Sequence, residues 1–261
     1  MVVNIEMKEQ WTAGGFKSKS EFRKTKSKKP CQDSFFILRD LKNEFLCVAV
    51  ADGAGSASLS DLGAEVVTRK VCNFLNKKFD LFYESDPFKV KASIIHALRT
   101  TLGKVAKKNK VVIRDLASTL LFVSVKKDKI IVGHLGDGII LYDKAYEIKV
   151  LSEPENGEFI NQTYFVTSGH YKHHLRLYKG KLDDISAFYL MTDGVSNLFY
   201  NPKTGLLSKE ITEALSSFKD ESDAELEKSV TGFMKANVIK KSNDDSTLVV
   251  IQKGHTKKTH S

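Results

Sequence analysis

Three apolar runs of strand length each end on Asp-Gly, and any fold for this chain has to place all three. They are Leu46 to Gly53, Ile130 to Gly138 and Ala187 to Gly194. A continuous apolar run rich in β-branched or aromatic residues reads as a buried strand. A carboxylate at the end of such a strand is held by a rigid core and still meets solvent. Asp-Gly is also a common turn dipeptide, so any one of these pairs alone reads as a turn. Two further acidic spots shift the balance: Gln32-Asp33-Ser34 precedes the apolar run Phe35 to Leu38, and Asp244-Asp245-Ser246 precedes Leu248 to Ile251. Five acidic positions at strand ends favour a cluster of hard oxygen ligands, the set that Mg²⁺ or Mn²⁺ takes.

The connections decide the fold class. Asp33 to Asp40 and Glu44 to Ala51 read as a hairpin joined at Leu41 to Asn43. Ser118 to Val125, Lys129 to Leu135, Ile139 to Tyr142 and Ile148 to Leu151 follow one another with links of a few residues, hence antiparallel. Between these blocks lie paired helices. The first has Ser60 or Asp61 as its expected N-cap and an apolar face of Leu62, Val66, Val67, Val71, Phe74, Leu75 and Phe79. The second starts at Asp86-Pro87 and ends in the lysines near Lys110. Lys209 to Phe218 and Ala224 to Met234 read as two more. Paired helices between hairpin blocks predict packed antiparallel sheets covered by helices, in the α+β class, rather than a parallel doubly wound sheet. Gln162 to Thr167 reads as one further strand. Ser168 to Asp184, with His170, His173 and His174 and little apolar content, reads as a mobile loop.

At 261 residues the chain suits one domain, with no evident linker. No run is long and apolar enough to cross a bilayer, and Met1 to Trp11 lacks the apolar core of a secretion signal. Three cysteines, Cys31, Cys47 and Cys72, support neither a disulfide framework nor a zinc site and suit a reducing, cytoplasmic compartment. The net charge of +9 resides in two strips, Lys17 to Lys29 and Lys253 to Ser261. The first is expected to be a loop, the second a frayed tail. The rest of the chain balances, which argues against a nucleic-acid-binding body. The first strip has two readings of equal weight: a solvated loop, or a cationic approach to Asp33.

The ordered motifs Cys-Gln-Asp-Ser, Ala-Asp-Gly-Ala-Gly-Ser, Ala-Ser-Thr-Leu, Gly-Asp-Gly, Thr-Asp-Gly-Val and Asp-Asp-Ser-Thr resemble the protein phosphatase 2C family, most nearly its compact bacterial members. The resemblance runs from about Asp33 to Ile251. It implies a four-layer α-β-β-α sandwich and a metal-dependent hydrolase acting on phosphoserine and phosphothreonine of proteins. By the same resemblance Asp52 bridges two metal ions with the Gly53 carbonyl as a further ligand. Asp33 matches the first acidic motif, Asp193 and Asp244 match ligands of the other ion, and Asp137 joins Asp193 at a third site. Two divalent ions could activate a water, and no nucleophilic side chain is required.

Three departures from the family pattern stand out. Gln32 replaces a second acid, Ala54 replaces a histidine common in eukaryotic relatives, and Lys28 stands where a phosphate-gripping arginine is usual. Lysine holds phosphate as a point charge only. The implied partners are a phosphorylated protein and an opposing Ser/Thr kinase, with no nucleic acid, no membrane and a monomeric state. Two other functions compete: a regulatory binding module that has lost turnover, and a metal-dependent nuclease using the same carboxylates.

Overall fold

A computed structural model describes residues 10–20, 30–155, 163–169 and 171–254. Among them, two five-stranded antiparallel sheets stack face to face. The first is built from β1 (Gln10–Ser18), β12 (Ser246–Gly254), β9 (Ile185–Met191), β6 (Ile139–Lys144) and β7 (Glu147–Ser152), in that spatial order. The second runs β2 (Ser34–Asp40), β3 (Phe45–Ala51), β4 (Leu120–Lys126), β5 (Lys129–Leu135) and β8 (Arg176–Lys181), while β10 (Tyr200–Asn201) and β11 (Leu206–Leu207) form a separate short hairpin. Helices α1 (Ser60–Glu84) and α2 (Pro87–Asn109) cover the second sheet. On the first sheet lie α4 (Asp193–Phe199), α5 (Lys209–Ser217) and α6 (Asp223–Asn237). The architecture is the expected α-β-β-α sandwich.

The central strands show why those apolar runs are continuous. In β3, Phe45, Cys47, Ala49 and Ala51 face α1, whereas Leu46, Val48 and Val50 face the other sheet. A strand buried on both sides has no polar face to alternate with. Three apolar layers result: helix on sheet, sheet on sheet around Phe188, Leu190 and Val123, and sheet on helix around Tyr189, Leu215 and Met234.

Several boundaries depart from the sequence expectations, each for a local reason. Helix α1 begins at Ser60, and its cap is Leu59, whose carbonyl accepts from the Gly63 N–H at 3.0 Å with no side-chain cap; the Ser60 hydroxyl accepts from Gln32 Nε2. The α2 start is as expected, with Asp86 accepting from the Lys89 N–H at 3.1 Å. Lys17 and Ser18 belong to β1, and Lys253 and Gly254 to β12, so the basic loop and the tail are shorter than expected. Thr163 to Thr167 is not a strand: Ser168 and Phe165 close a turn by Ser168 N–H to Phe165 O at 3.0 Å and Phe165 N–H to Ser168 Oγ at 2.9 Å.

The largest correction is Ser168 to Asp184. In place of a mobile loop, this interval holds the short helix α3 (Tyr171–His174) and strand β8, which pairs with β5 from Lys129↔Lys181 to His134↔Arg176. An edge strand is secured by backbone hydrogen bonds on one side, so its outward side chains need no apolar pattern. Leu175 and Leu182 are nevertheless buried, and the His174 ring stacks on Tyr164 at 3.4 Å. Among the described residues no helix is long and apolar enough to span a membrane.

Candidate metal centre

The acidic motifs converge because the strands carrying them all end at one edge of the sandwich. Asp33 precedes β2, Asp52 follows β3, and Ser34 pairs with Ala51, so these two aspartates are neighbours by register. On the other sheet, Ile139, Met191 and Leu248 lie in one row across β6, β9 and β12. That row brings Asp137, Asp193 and Asp244 to the same edge. Asp193 begins helix α4, an element the sequence reading missed, in the first turn, where a carboxylate is favoured.

The glycines of the Asp-Gly pairs serve a purpose other than the turn chemistry their sequence suggests. Neither Gly53 nor Gly194 has a positive φ. Instead, a Cβ on Gly53 would lie 2.7 Å from Gln32 O, and one on Gly194 would lie 2.0 Å from Asp245 O. Each glycine therefore lets one acidic segment nest against the backbone of another.

Hydroxyls set the carboxylates. Thr192 Oγ1 and Thr247 Oγ1 both donate to Asp33 Oδ2, at 2.9 and 2.8 Å. Thr119 clamps the Asp52 peptide from both sides: its N–H donates to Asp52 O at 2.8 Å, and its Oγ1 accepts from the Asp52 N–H at 2.8 Å. Thr119 is thus a positioning residue for Asp52. Thr163 Oγ1 donates to Asp137 Oδ2 at 2.5 Å. Asp244 Oδ1 accepts from the Asp245 N–H at 2.7 Å, and a cavity of about 310 Å³ opens beside Asp193 and Asp244.

Crowding like charges under partial burial disfavours ionisation. Burial pushes Asp33 up to about 6, against opposing hydrogen bonds from Thr247 and Thr192. Burial and then the charges of Asp137, Asp244 and Asp33 push Asp193 up to about 8. Asp52, although part of the residue meets solvent, is raised well above the carboxylate range by desolvation and by Asp33, Asp193, Asp244 and Asp137. Asp137 is raised by burial as well.

Three oxygens, Asp33 Oδ1, Asp137 Oδ1 and Asp193 Oδ1, are buried with no hydrogen-bond partner. Buried carboxylate oxygens left without donors are the expected property of cation ligands. The carboxylates raise one another without closing on a single point: no three His, Cys, Asp or Glu side chains among the described residues are gathered tightly enough to hold an ion as they stand. The donor set, all hard oxygen, fits Mg²⁺ or Mn²⁺.

The three departures resolve differently. Gln32 turns away from the carboxylates: its side chain donates to Ser60 Oγ and, at 3.4 Å, to Ala54 O. Ala54 is buried against Ala57, Ala117 and Phe165. Lys28 lies outside the described residues. The basic strip still reaches the site through Lys17, whose Nζ donates to Asp33 O at 3.0 Å. Sequence reasoning also passed over Asp245. Its buried carboxylate accepts from the Gln32 N–H at 2.7 Å and the Ser20 N–H at 3.0 Å, tying the two terminal acidic motifs together. The doubled Asp244-Asp245 was the available signal.

Raised carboxylates gathered at one edge of an α-β-β-α sandwich define a protein with a carboxylate-lined, cation-seeking site. Comparison with known proteins narrows it further. The model of the protein phosphatase 2C family matches residues 23–234, and the chain belongs to that family. Serine/threonine-protein phosphatase 3 of Escherichia coli K12 is 27% identical over 177 residues, covering 66% of this chain and 69% of that protein. Among solved structures, the serine/threonine phosphatase Stp1 of Staphylococcus aureus superposes with a TM-score of 0.66 at 13% identity, over 98% of this chain and 100% of that one. The catalytic domain of the serine/threonine phosphatase PstP, in complex with two manganese ions, gives 0.62 at 15% identity, over 94% and 99% of the two chains.

Proposed function

We propose that this chain is a Mg²⁺- or Mn²⁺-dependent protein phosphatase that hydrolyses phosphoserine and phosphothreonine monoesters. The observation that carries it is the convergence of Asp33, Asp52, Asp193 and Asp244, where burial and crowding raise Asp52 and Asp193, with partnerless buried oxygens on Asp33 and Asp193. Asp52, adjacent to Asp33 by register, would be held in common by two ions, with the Gly53 carbonyl as a further ligand. Asp193 and Asp244 would complete a second, and Asp137 with Asp193 a third.

Divalent ions held there supply a water of lowered pKa and positive charge against the phosphate oxygens. The chain's own contribution is positional. Thr192 and Thr247 orient Asp33, Thr119 fixes the peptide of Asp52, and Thr163 holds Asp137. Lys17, anchored on the Asp33 carbonyl, adds positive charge on the approach side. It supports the reading of the basic strip as a cationic approach to phosphate, which Lys28 would share. The reading includes a phosphorylated protein as substrate, an opposing Ser/Thr kinase, and a cytoplasmic setting consistent with three free cysteines among the described residues.

The test is hydrolysis of a phosphoserine peptide, para-nitrophenyl phosphate and a bis-aryl diester, with and without chelator. Turnover of the two monoesters that requires added Mn²⁺ or Mg²⁺, with the diester untouched, is the expected result. Diester cleavage would identify a nuclease instead, and metal-bound protein without turnover a binding module.

A further inference from the structure

The first sheet carries an anomaly on its helix-facing side. Along β6, β9 and β12 the rows Ile139–Met191–Leu248 and Leu141–Tyr189–Val250 are apolar, as a buried face requires. The next row is Asp143–Ala187–Gln252, and β1 adds Thr12 opposite Gln252. A carboxylate and an amide thus flank an alanine on a face otherwise built to exclude water.

These polar groups are buried and underused. Asp143 has no exposed surface and Gln252 is 4% exposed. Asp143 Oδ1 and Oδ2, Gln252 Nε2 and Thr12 Oγ1 all lack a hydrogen-bond partner. Asp143 does have one ionic neighbour, Lys219 Nζ, 3.3 Å from Oδ2. Burying an unsatisfied polar atom is costly, so three such residues in one row need a reason. The small Ala187 leaves space between them, and a cavity of about 590 Å³ opens over Asp143, Ala187 and Gln252. Ala187 is four strand residues from Met191, about 13 Å, so the cavity lies far along the sheet from the carboxylate edge.

The walls specify a charge. Asp143, Asp183, Asp184 and Asp220 stand against Lys219 and Lys253, a net charge of −2. Lys219 already displays the recognition chemistry: its ammonium lies near the Asp143 carboxylate and 4.4 Å from the centre of the Tyr146 ring. That ring is 86% exposed, held out on a turn where Ala145 and Tyr146 both have positive φ. A carboxylate plus an exposed aromatic face is a cation-binding pair. Lys219 is one-third exposed and can share or yield its place.

We propose that this cavity is a second binding site, for a small organic cation with several N–H donors, an alkylammonium or guanidinium. Its donors take the place of Lys219 Nζ on the Asp143 carboxylate, and its charge meets Asp183 and Asp184. A guanidinium suits Asp143 best, since its planar fork matches a carboxylate. No metal or phosphate group is involved, so the site stands independently of the phosphatase reading.

The experiment is calorimetric titration with agmatine at physiological salt, with neutral butylurea as the size-matched control. Saturable one-to-one binding of agmatine and none of butylurea is expected. Asp143→Asn and Ala187→Leu should each weaken it at least about tenfold. Tyr146→Ala, on an exposed turn that folds regardless, should weaken it severalfold and serves if either core variant fails to fold. Absence of saturable heat into the millimolar range overturns the proposal. So do equal binding of butylurea and unchanged affinity across the folded variants.

Discussion

Thr192 Oγ1 donates to Asp33 Oδ2 at 2.9 Å, linking residues 159 positions apart in sequence. The same Thr192 oxygen accepts from the Thr247 N–H at 2.9 Å, and Thr247 Oγ1 reaches the same Asp33 oxygen. One threonine thus ties the segment before β2 to β12 where the carboxylates meet. Its hydroxyl leaves Asp33 Oδ1 pointing elsewhere, without a partner.

Thr192→Val should therefore weaken binding of Mn²⁺ by about 10–100-fold, as loss of a ligand-orienting partner does. Folding stability should fall by about 1–3 kcal/mol, since Asp33 is buried. Calorimetric titration with Mn²⁺ and thermal unfolding read the two effects separately. Unchanged Mn²⁺ affinity would remove Thr192 from the positioning role.

Asp52→Asn should have opposite effects on activity and on metal-free stability. Removing the ligand should cut phosphomonoester turnover by orders of magnitude. In chelator near neutral pH, the same change removes a carboxyl whose ordinary ionisation is opposed by burial and by four other carboxylates, so the Tm should rise. A gain of about 1 kcal/mol is about 2–4 °C for a chain of this size. A lower Tm in chelator would mean that Asp52 stabilises the fold rather than straining it.

Gly194→Ala should damage both fold and site without touching any polar group. The new Cβ would sit 2.0 Å from Asp245 O, a backbone atom that cannot swing away. Forcing such a contact costs about 1–3 kcal/mol or more, read as a drop in Tm. Because the displaced segment carries Asp244, metal affinity should fall with it. An unaffected Tm would refute the interlocking role assigned to this glycine.

Metal-free stability should fall as pH rises from 6.5 to 8. Unfolded aspartates titrate near about 3.9 and have already lost their protons there. Native Asp193, raised to about 8, still holds its proton over most of this window. The folded state binds more protons, so the slope of stability against pH is negative. His134, buried and held well below its ordinary value, acts the other way but only below about 6.5. Thermal unfolding in chelator should show the decline, and added Mn²⁺ should flatten or reverse it. A Tm that rises with pH in chelator would contradict the raised carboxylates.

The layers and the acidic ligand candidates were legible in the sequence because each rests on local pattern. Continuous apolar runs such as Phe45 to Ala51 can only be strands covered on both sides, and short links force them antiparallel. Asp33, Asp52, Asp137, Asp193 and Asp244 were readable for the same reason, as strand-end carboxylates. What pattern could not reach was anything decided by a distant partner. Ser168 to Asp184 lacks apolar periodicity, yet β8 forms because β5 offers it a row of backbone groups. The Ser60 hydroxyl, a cap candidate by sequence, accepts from Gln32 Nε2, 28 positions away, and Leu59 is the cap. The Asp-Gly glycines look like turn residues, and only the packed backbone shows that they are spacers. The Asp143–Ala187–Gln252 row is invisible in sequence, since its members share a face through register alone. Sequence determines what each segment prefers along itself. Register and burial, which arise only when segments meet, decide which side chains share a site and which of them are left without partners.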